Sequence, residues 1–587
     1  LDAPRISSEH ASASSERRVL RGLRSQRASP APFNMRFLFA CLLVARASAL
    51  QLRMSAAAPV KAAAAAPSAA AIKASYVLSS PRFRKGVKQV STLGPASFDA
   101  AVIERLFLEG TDVFRLNLSH GASDKLEVAQ CIRALEVKYD HPIGILADLQ
   151  GPKHRVGMFS KDVPKVNLVK GQVYTFDLDS DTFGSESRVA LPHPEVLQAL
   201  EVGNAILLDD GKLRCVVTEK GDGFVVTEVM NDAALSSRKG FNLPDTVVPG
   251  EAMTPKDIAD LEFLMEDFGG VTIDWIALSF VQRPEDMIEL KTRINGRSKA
   301  MLLAKLEKPQ AVEPDQLRAI VAACDGIMVA RGDLGVEMAA EDVPIVQKEI
   351  IDECRAQGKP VIVATQMLES MIDSPSPTRA ECSDVATAIF DGCDAVMLSG
   401  ESAAGKYPIE AVAMQRRIIQ RVESAPRYDL LMARVGVPEG AAISSDLADV
   451  DAIVAAASQL ATAMRAKALV VFTTSGASAR RMARLRPGVP VLAVTPNRDV
   501  ARALTLSANV YPAVLDAALI AATPRSELFY RMLEQGISIA RAKGLVEFDS
   551  DRLVCTAGLP FNVAGIANAI RVVEAGGLSS WEGHRLE

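Results

Sequence analysis

Cysteine and histidine are sparse in this 587-residue chain and do not occur in site-forming patterns. The sequence contains no Cys-x-x-Cys pair, and its cysteines stand far apart, at positions 41, 131, 215, 324, 354, 382, 393 and 555. This spacing predicts neither a disulfide framework nor a zinc site. The six histidines are equally scattered, which argues against a His-based hydrolase and against a His-ligated metal.

Neither sign of charge predominates in the sequence. The chain has 66 Lys and Arg against 71 Asp and Glu, a formal net charge of -5, so it offers no global electrostatic attraction for nucleic acid. Hydrophobic residues make up 49% of the chain and charged residues 23%, which is typical of a globular protein. The length predicts about four domains, although one barrel can take up ~250 residues.

Acidic residues are absent between Glu16 and Asp99, where the chain is rich in Ala, Ser and Arg. After Met35, where we expect translation to begin, the apolar run FLFACLLV and a small-residue site near Ala49 resemble a signal peptide, too short to span a bilayer. The following acid-free stretch has transit-peptide character. Residues 1–87 are therefore predicted to be a two-part plastid-targeting extension, the alternative being a disordered extension on a cytoplasmic enzyme.

From Lys88 onward, strand-like and helix-like segments alternate. Eight apolar runs of strand length begin near residues 88, 112, 142, 275, 300, 326, 360 and 395, and each is followed by a helical pattern. One of these helices is expected over Pro309 to Cys324. Eight β-then-α repeats with polar residues at the strand ends predict an α/β fold, a (β/α)8 TIM barrel.

The alternation is interrupted once and continues past the barrel. Short alternating runs separated by Gly, Asp and Asn predict a small inserted β-barrel domain after the third strand, which spans residues 152–251 and forms a lid. A further α/β alternation over residues 426–587 predicts a C-terminal domain, doubly wound by its pattern. The barrel is then built from residues 88–151 and 252–425.

Two neighbouring strands of this barrel end in charge. One apolar run, in the segment AMLLAKLEK, ends with Lys305 and Glu307, and the next, in GIMVARGD, ends with Asp333. Lys305 and Glu307 are two residues apart and so point to the same side of their strand. Because chemistry in a barrel is performed at the carboxyl ends of the strands, these residues predict an active site.

Six segments together resemble the pyruvate kinase family. They are FRLNLSHG, LQGPKHRVG, AKLEKPQAV, GIMVARGDLGVE, VIVATQMLESMI and MLSGESAAGKYPIEAV. The resemblance runs from about Lys88 to Ala575 and includes the domain order. It implies an enzyme that moves the phosphoryl group of phosphoenolpyruvate to ADP, giving pyruvate and ATP in glycolysis.

The resemblance implies roles for the charged strand ends. Glu307 and Asp333 are expected to bind Mg2+ or Mn2+ through hard oxygen ligands, the alternative being two unrelated surface acids. Lys305 is expected to neutralise charge on the phosphoryl group and the enolate oxygen, the alternative being a structural salt bridge.

Further site residues follow from the same resemblance. Arg115 and Arg155 match arginines that contact the transferring phosphate, and Gly332 with Asp333 opens a segment that can hold the substrate carboxylate. Thr365 matches the threonine beside the methylene carbon of the enolate, with Ser399 and Glu401 in a proton path. The expected nucleotide-binding residues are Asn117, His120 and Arg155, with His120 also supporting its strand end.

One departure from the family concerns potassium. Potassium-dependent members have Thr-Lys-Gly-Pro-Glu where this chain has Leu149-Gln150-Gly151-Pro152-Lys153. Asn117, Ser119 and Asp148 could ligate K+, but Lys153 replaces an acid with an ammonium group. We therefore expect activity without added K+, the alternative being that Lys153 is a solvated lysine.

The C-terminal domain contains a Ser/Thr/Gly loop between a strand and a helix start. It resembles the family's sugar-phosphate effector loop and consists of Thr473, Thr474, Ser475, Gly476 and Ser478. Such a loop is a phosphate nest by construction, and a simple helix cap is the alternative.

The resemblance also implies a homotetramer, without nucleic-acid partners and without a membrane association of the mature form. Two rival functions remain open at this stage. One is another Mg2+-dependent barrel enzyme that stabilises an enolate, and the other is a catalytically silent, effector-binding paralogue.

Overall fold

A computed structural model describes residues 85–246, 248, 252–266, 268–434, 448–524, 526–559 and 567–576. Most of the predicted targeting extension thus lies outside the described residues. Lys85, the first described residue, already packs against the barrel, three residues before the predicted boundary. Lys85 forms a buried ion pair with Asp112, and the Gly86 N–H donates to Glu423 at 2.8 Å.

Eight parallel strands close into a barrel, as predicted. The first strand pairs with the last, Lys88 lying opposite Ala395. The strands are Lys88–Leu93, Val113–Asn117, Gly144–Asp148, Trp275–Leu278, Met301–Leu306, Gly326–Ala330, Val361–Ala364 and Ala395–Leu398. All their carboxyl ends therefore meet at one rim, which is where the predicted Lys305, Glu307 and Asp333 lie.

Helices surround these strands. They are Ala100–Glu109, Leu126–Tyr139, Pro255–Glu266, Pro284–Ile294, Pro314–Ala323, Arg331–Glu337, Val343–Gln357, Arg379–Asp391, Gly400–Ala403, Pro408–Glu423 and Pro426–Arg434. Four short 3-10 turns, Leu118–His120, Ser123–Lys125, Pro309–Val312 and Glu369–Ile372, join them to strands or extend them. Local capping determines several of the helix ends: Thr378 and Glu381, for example, form a capping box at the start of Arg379–Asp391.

The prediction of one continuous helix over Pro309 to Cys324 was wrong. The structure has a 3-10 turn, Pro309–Val312, and then a separate helix, Pro314–Ala323. Pro314 has no backbone N–H to donate and is favoured in the first turn of a helix, so a new helix begins there.

The inserted domain is built of short strands, which are antiparallel except for the parallel pair Val173–Asp177 and Arg188–Ala190. They are Lys165–Leu168, Val173–Asp177, Arg188–Ala190, Ala205–Leu208, Leu213–Gly221, Phe224–Val229, Ala233–Ser236 and Phe241–Asn242, with one helix, Pro194–Ala199. Six of the strands form one open sheet and not the predicted β-barrel, because among the described residues its edge strands, Phe241–Asn242 and Arg188–Ala190, do not pair with each other. Ala233–Ser236 pairs separately with Lys165–Leu168. Alternate residues are buried, as a sheet with one wet face requires, and Tyr174 and Phe176 are fully buried in its core.

The C-terminal domain is a five-stranded sheet with helices on both faces. Its strands are Ala468–Phe472, Val491–Thr495, Val510–Val514, Arg552–Ala557 and Ala569–Glu574, the last antiparallel. Its helices are Ala448–Ala463, Ala477–Arg484, Arg498–Ala503, Ala517–Ala522 and Leu528–Ala542, with a 3-10 turn at Leu504–Leu506. Val470 belongs to the apolar cluster of one face and Val471 to that of the other, which confirms the predicted α/β layering.

The C-terminal domain packs against the amino ends of the barrel strands. Trp275, the first residue of the fourth barrel strand, donates its indole N–H to the Ala503 carbonyl at 3.2 Å. Arg486 and Asp394, both buried, form an ion pair at 3.0 Å across the same contact. The rim with the predicted site is thus at the opposite end of the barrel.

No helix among the described residues is long and apolar enough to cross a membrane.

Candidate active site

Lys305 lies at the centre of the candidate site. Its Nζ donates to Ser279 Oγ at 2.7 Å and lies 3.0 Å from Glu307 Oε1 and 3.3 Å from Asp148 Oδ1. These groups come from the ends of the third, fourth and fifth barrel strands. The parallel strands thus bring together residues that are distant in the chain.

The carboxylates keep Lys305 charged. Burial disfavours the ammonium form, but Asp148 and Glu307 outweigh it and raise the pKa of Lys305 above its usual value. Lys305 is therefore a fixed positive charge in a site partly removed from water. Electrostatic effects in such surroundings are stronger than in solution.

Glu307 and Asp333 provide oxygen ligands at adjacent strand ends. Glu307 is buried and accepts the Phe280 N–H at 2.7 Å, whereas Asp333 is partly exposed. Burial and the neighbouring Asp333 raise the pKa of Glu307, although Lys305 opposes the shift. A divalent cation between two such carboxylates would relieve their repulsion, and oxygen donors with room for further ligands suit Mg2+.

Lys153 lies beside these candidate metal ligands. Its Nζ donates to Asp333 Oδ1 at 2.8 Å. In the hydrogen bonds and ion pairs of the described residues, Lys153 pairs with Asp333 and not with Asn117, Ser119 or Asp148. The ammonium group predicted from the sequence therefore enters the site from the segment that leads into the inserted domain.

Arg115 and Asp148 form a buried ion pair at 2.6 Å. Burial alone would raise the pKa of Asp148, but Arg115 and Lys305 lower it, so the carboxylate is ionised. Arg115 also donates to Thr92 Oγ1 at 3.0 Å, which fixes its guanidinium group at the rim.

Asn117 is engaged within its own turn. Its Oδ1 accepts the Ser119 N–H at 3.1 Å and the Ser119 hydroxyl at 2.9 Å, so it caps the 3-10 turn Leu118–His120. The prediction for His120 concerns a side chain outside the described part of the structure.

Thr365 directly follows the seventh barrel strand and touches Gly332. Its hydroxyl accepts the Gly332 N–H at 2.6 Å and donates to the Ala364 carbonyl at 2.5 Å. A side chain at position 332 would begin 3.3 Å from Thr365 Oγ1, so this approach favours glycine. Thr365 has φ of 70°, an unfavourable conformation for a β-branched residue, and Arg331 stabilises it by donating to the Thr365 carbonyl at 2.8 Å.

Ser399 and Glu401 form a second polar group at the eighth strand end. Glu401 is buried and accepts the Ser399 N–H at 2.7 Å and the Leu368 N–H at 3.0 Å. Burial raises the pKa of Glu401. The Ser399 Oγ is buried and has no hydrogen-bond partner among the described residues. The structure therefore brings these two residues together, but no direct bond joins either to Thr365.

Arg155 belongs to the inserted domain. Its guanidinium donates to the Arg238 carbonyl at 2.9 Å, and its backbone pairs with Gly240. Its predicted phosphate contact is thus not formed with the barrel groups here, and it stays a prediction for the complex with substrate.

The predicted effector loop lies before the helix Ala477–Arg484. Gly476 has φ of 80°, and its N–H donates to Thr473 Oγ1 at 2.9 Å, while Ser475 Oγ accepts the Ala477 N–H at 3.5 Å. Two hydroxyls thus contact this turn, but the N-cap residue of the helix is Gly476 and no side chain caps the helix there, so the helix-cap alternative is not supported. The role in effector binding stays a prediction.

Ser279 was missed by reasoning from the sequence. It directly follows the fourth barrel strand, is buried, and donates to the Leu149 carbonyl at 2.7 Å while accepting from Lys305. A polar residue immediately after an apolar barrel strand was the available signal. Its contact with Lys305 could not be predicted from the sequence, because the two residues belong to different strands.

Two protein-family models match the chain. The model for the pyruvate kinase barrel domain matches residues 84–412, and the model for the pyruvate kinase alpha/beta domain matches residues 451–573.

Individual relatives agree with these matches. The chain is 49% identical to a pyruvate kinase of Methylorubrum extorquens over 83% of this chain and 96% of the relative. It is 40% identical to pyruvate kinase 2 of Synechocystis over 84% of this chain and 80% of the relative. A crystal structure of a pyruvate kinase from Cryptosporidium parvum superimposes with a TM-score of 0.75 at 30% identity, covering 85% of this chain and 97% of that one.

Substitution of Glu307 tests the metal ligands. We expect Glu307→Gln to weaken Mn2+ binding at least about tenfold, because an amide carries no charge to attract the cation. Free Mn2+ is counted by electron paramagnetic resonance (EPR) during titration. The matched control is Glu313→Gln, an exposed acid on the same connection. Equal Mn2+ affinity in the two variants would contradict the assignment.

Proposed function

Because the chain belongs to the pyruvate kinase family, it is a phosphotransferase, and we propose that its barrel rim transfers the phosphoryl group of phosphoenolpyruvate to ADP. The single observation that carries this proposal is the convergence of Lys305, Glu307 and Asp333 at one rim. Phosphoryl transfer requires mainly positive charge around the moving group and a metal held by carboxylates.

Lys305 has the geometry for the central role. It is charged, buried and oriented by Ser279, so it can stabilise negative charge on the phosphoryl group and then on the enolate oxygen. Arg115, oriented by Asp148 and Thr92, adds a second fixed cation for the phosphate. A Mg2+ or Mn2+ ion held by Glu307 and Asp333 would supply Lewis-acid stabilisation of the same charge.

The second half of the reaction needs a proton at the methylene carbon of the enolate. Thr365 is assigned to the position beside that carbon, with Gly332 and Asp333 at the substrate carboxylate. A threonine hydroxyl is too weak an acid to act alone. Glu401, whose pKa burial raises, is better suited to hold the proton, and Ser399 accompanies it. We propose that water links this pair to Thr365.

The two rival functions are less well supported. A silent paralogue would not need a buried lysine held among two carboxylates and a hydroxyl. Another enolate-stabilising barrel enzyme would not need the phosphate-binding charge of Arg115 or an inserted domain whose leading segment reaches Asp333.

Replacing Lys305 tests the proposed reaction. We expect the wild type to form ATP from phosphoenolpyruvate, ADP and Mg2+, and Lys305→Met to lower kcat at least about 100-fold, because one preorganised charge at the transition state is lost. A coupled lactate dehydrogenase assay measures both rates. Lys299→Met, at a 75% exposed side chain, is the matched control. Absence of ATP formation by the wild type would refute the function.

We further propose that the enzyme does not require K+. The Lys153 ammonium already lies 2.8 Å from Asp333, where it adds one positive charge to the rim. A monovalent cation at Asn117, Ser119 and Asp148 would add charge beside Arg115 and Lys305, which already neutralise Asp148.

Reversal of the charge at position 153 tests this proposal. We expect wild-type activity to be equal in KCl and in tetramethylammonium chloride, and Lys153→Glu to be stimulated by K+ at least about tenfold, an effect of ~1.4 kcal/mol. Lys153→Met, which removes charge without reversing it, should respond less. A wild type that is inert without K+ would contradict the proposal.

Family resemblance also supports a homotetramer with a sugar-phosphate effector bound at residues 473–478. Analytical sedimentation measures the number of subunits in the assembly.

The effector is tested by whether sugar phosphates change the phosphoenolpyruvate concentration needed for half-maximal rate, and whether Ser478→Ala removes that response.

We propose that residues 1–87 direct the protein to a plastid. A fluorescent protein fused to residues 35–97 should enter the plastid of an algal cell with secondary plastids. A fusion of residues 35–49 alone keeps only the apolar run and should remain in the secretory route. Diffuse fluorescence of both fusions would favour the cytoplasmic alternative.

A further inference from the structure

The inserted domain brings two histidines together that lie far apart in the chain. His154 belongs to the segment leading from the barrel, and His193 precedes the helix Pro194–Ala199. Their ring centroids are 4.7 Å apart with an edge-on arrangement. The scattered histidines of the sequence thus form a pair in the fold.

Glu195 completes a group of three potential ligands. Its Oε1 lies 3.4 Å from His193 Nδ1, and one ligand atom from each of His154, His193 and Glu195 lies within 4.8 Å of the others. Ligand atoms around a tetrahedral ion with bonds of ~2.1 Å are about 3.4 Å apart. The distance between His193 Nδ1 and Glu195 Oε1 already fits this value. Rotation of the side chains at this partly exposed site can bring the ligand atom of His154 equally close.

The state of His154 favours metal binding. Burial and the neighbouring His193 lower the pKa of His154 to about 4, so the imidazole is neutral at physiological pH. A neutral imidazole retains the lone pair that a metal ion requires.

An ion can reach this group from solvent. His154 and Glu195 line a cavity of about 370 Å3 between the inserted domain and the barrel. The competing interaction is weak: the Arg155 N–H donates to His193 Nε2 at 3.3 Å, the long end of the range for such bonds. Binding of an ion through His193 Nδ1 would move the ring proton to Nε2 and so break this bond.

We propose that His154, His193 and Glu195 bind a borderline divalent transition-metal ion such as Zn2+ or Cu2+, separately from the Mg2+ ligands at the rim. Imidazole nitrogen suits these metals, whereas Mg2+ prefers an all-oxygen site such as Glu307 with Asp333. The site therefore selects a different class of ion from the one proposed for phosphoryl transfer.

Occupancy would affect the segment that enters the active site. His154 is next to Lys153, which pairs with Asp333. An ion joining His154 to His193 and Glu195 links this segment to the inserted domain's only described helix. We therefore expect the ion to restrain the segment that carries Lys153, and so to slow turnover.

Copper EPR identifies the ligands directly. The tag-free full-length protein is saturated with Mg2+ to fill the oxygen site, and less than one equivalent of Cu2+ is added. We expect nitrogen hyperfine splitting from two imidazoles in the wild type and from one in His193→Gln. Absent nitrogen splitting, or a pattern unchanged in His193→Gln, would overturn the proposal.

Zinc affinity tests the carboxylate. Competition with a chromogenic chelator should show binding weakened about tenfold or more in Glu195→Gln, but unchanged in Glu201→Gln, an exposed acid of the same domain. Because both substitutions are at the surface, activity with Mg2+ and without Zn2+ serves as the check that each variant is folded. Equal affinity of the two variants would contradict the role of Glu195.

Turnover separates this site from the catalytic metal. We expect micromolar Zn2+ to inhibit the wild type at saturating Mg2+ and to inhibit His193→Gln at least about tenfold less. Inhibition that is equal in both would mean that Zn2+ acts at the Mg2+ ligands, and the proposed effect on turnover would be wrong. The EPR experiment tests only which residues bind the ion, so its result depends neither on this outcome nor on the proposed reaction.

Discussion

The ammonium group of Lys305 lies inside the barrel rim among Asp148, Glu307 and Ser279, and the rest of the candidate site is arranged around it. A buried lysine alone would lose its proton, because burial disfavours charge. The carboxylates prevent this, and each has another partner: Arg115 binds Asp148, and the Phe280 N–H binds Glu307. The site therefore contains charges that are stable and also close to where a substrate phosphate would bind.

The fold positions these charges by strand direction alone. All eight barrel strands run parallel, so a polar residue immediately after any of them must reach the same rim. This is why the barrel and the group Lys305, Glu307 and Asp333 could be predicted from the sequence. Lys305 and Glu307 are two residues apart on one strand end, and Asp333 follows the neighbouring strand.

Contacts between different strands and domains could not be predicted in the same way. Nothing in the sequence indicates that Ser279 accepts from Lys305, that Lys153 pairs with Asp333, or that the rings of His154 and His193 meet. Each depends on how the inserted domain or an adjacent strand lies relative to the rim, and periodicity reports only local structure. The break at Pro314 is different, because its cause was visible in the sequence.

The charges at the rim explain why position 153 matters. Asp148, Glu307 and Asp333 contribute three negative charges, and Arg115, Lys153 and Lys305 contribute three positive ones, so their formal sum is zero. Glutamate at position 153 would give four negative and two positive charges, a formal sum of −2. Such a rim would repel an incoming phosphate more strongly and would attract a soluble monovalent cation. If K+ is not required, as proposed, the covalently attached ammonium group of Lys153 would supply that charge without the entropy cost of capturing a free ion from solution.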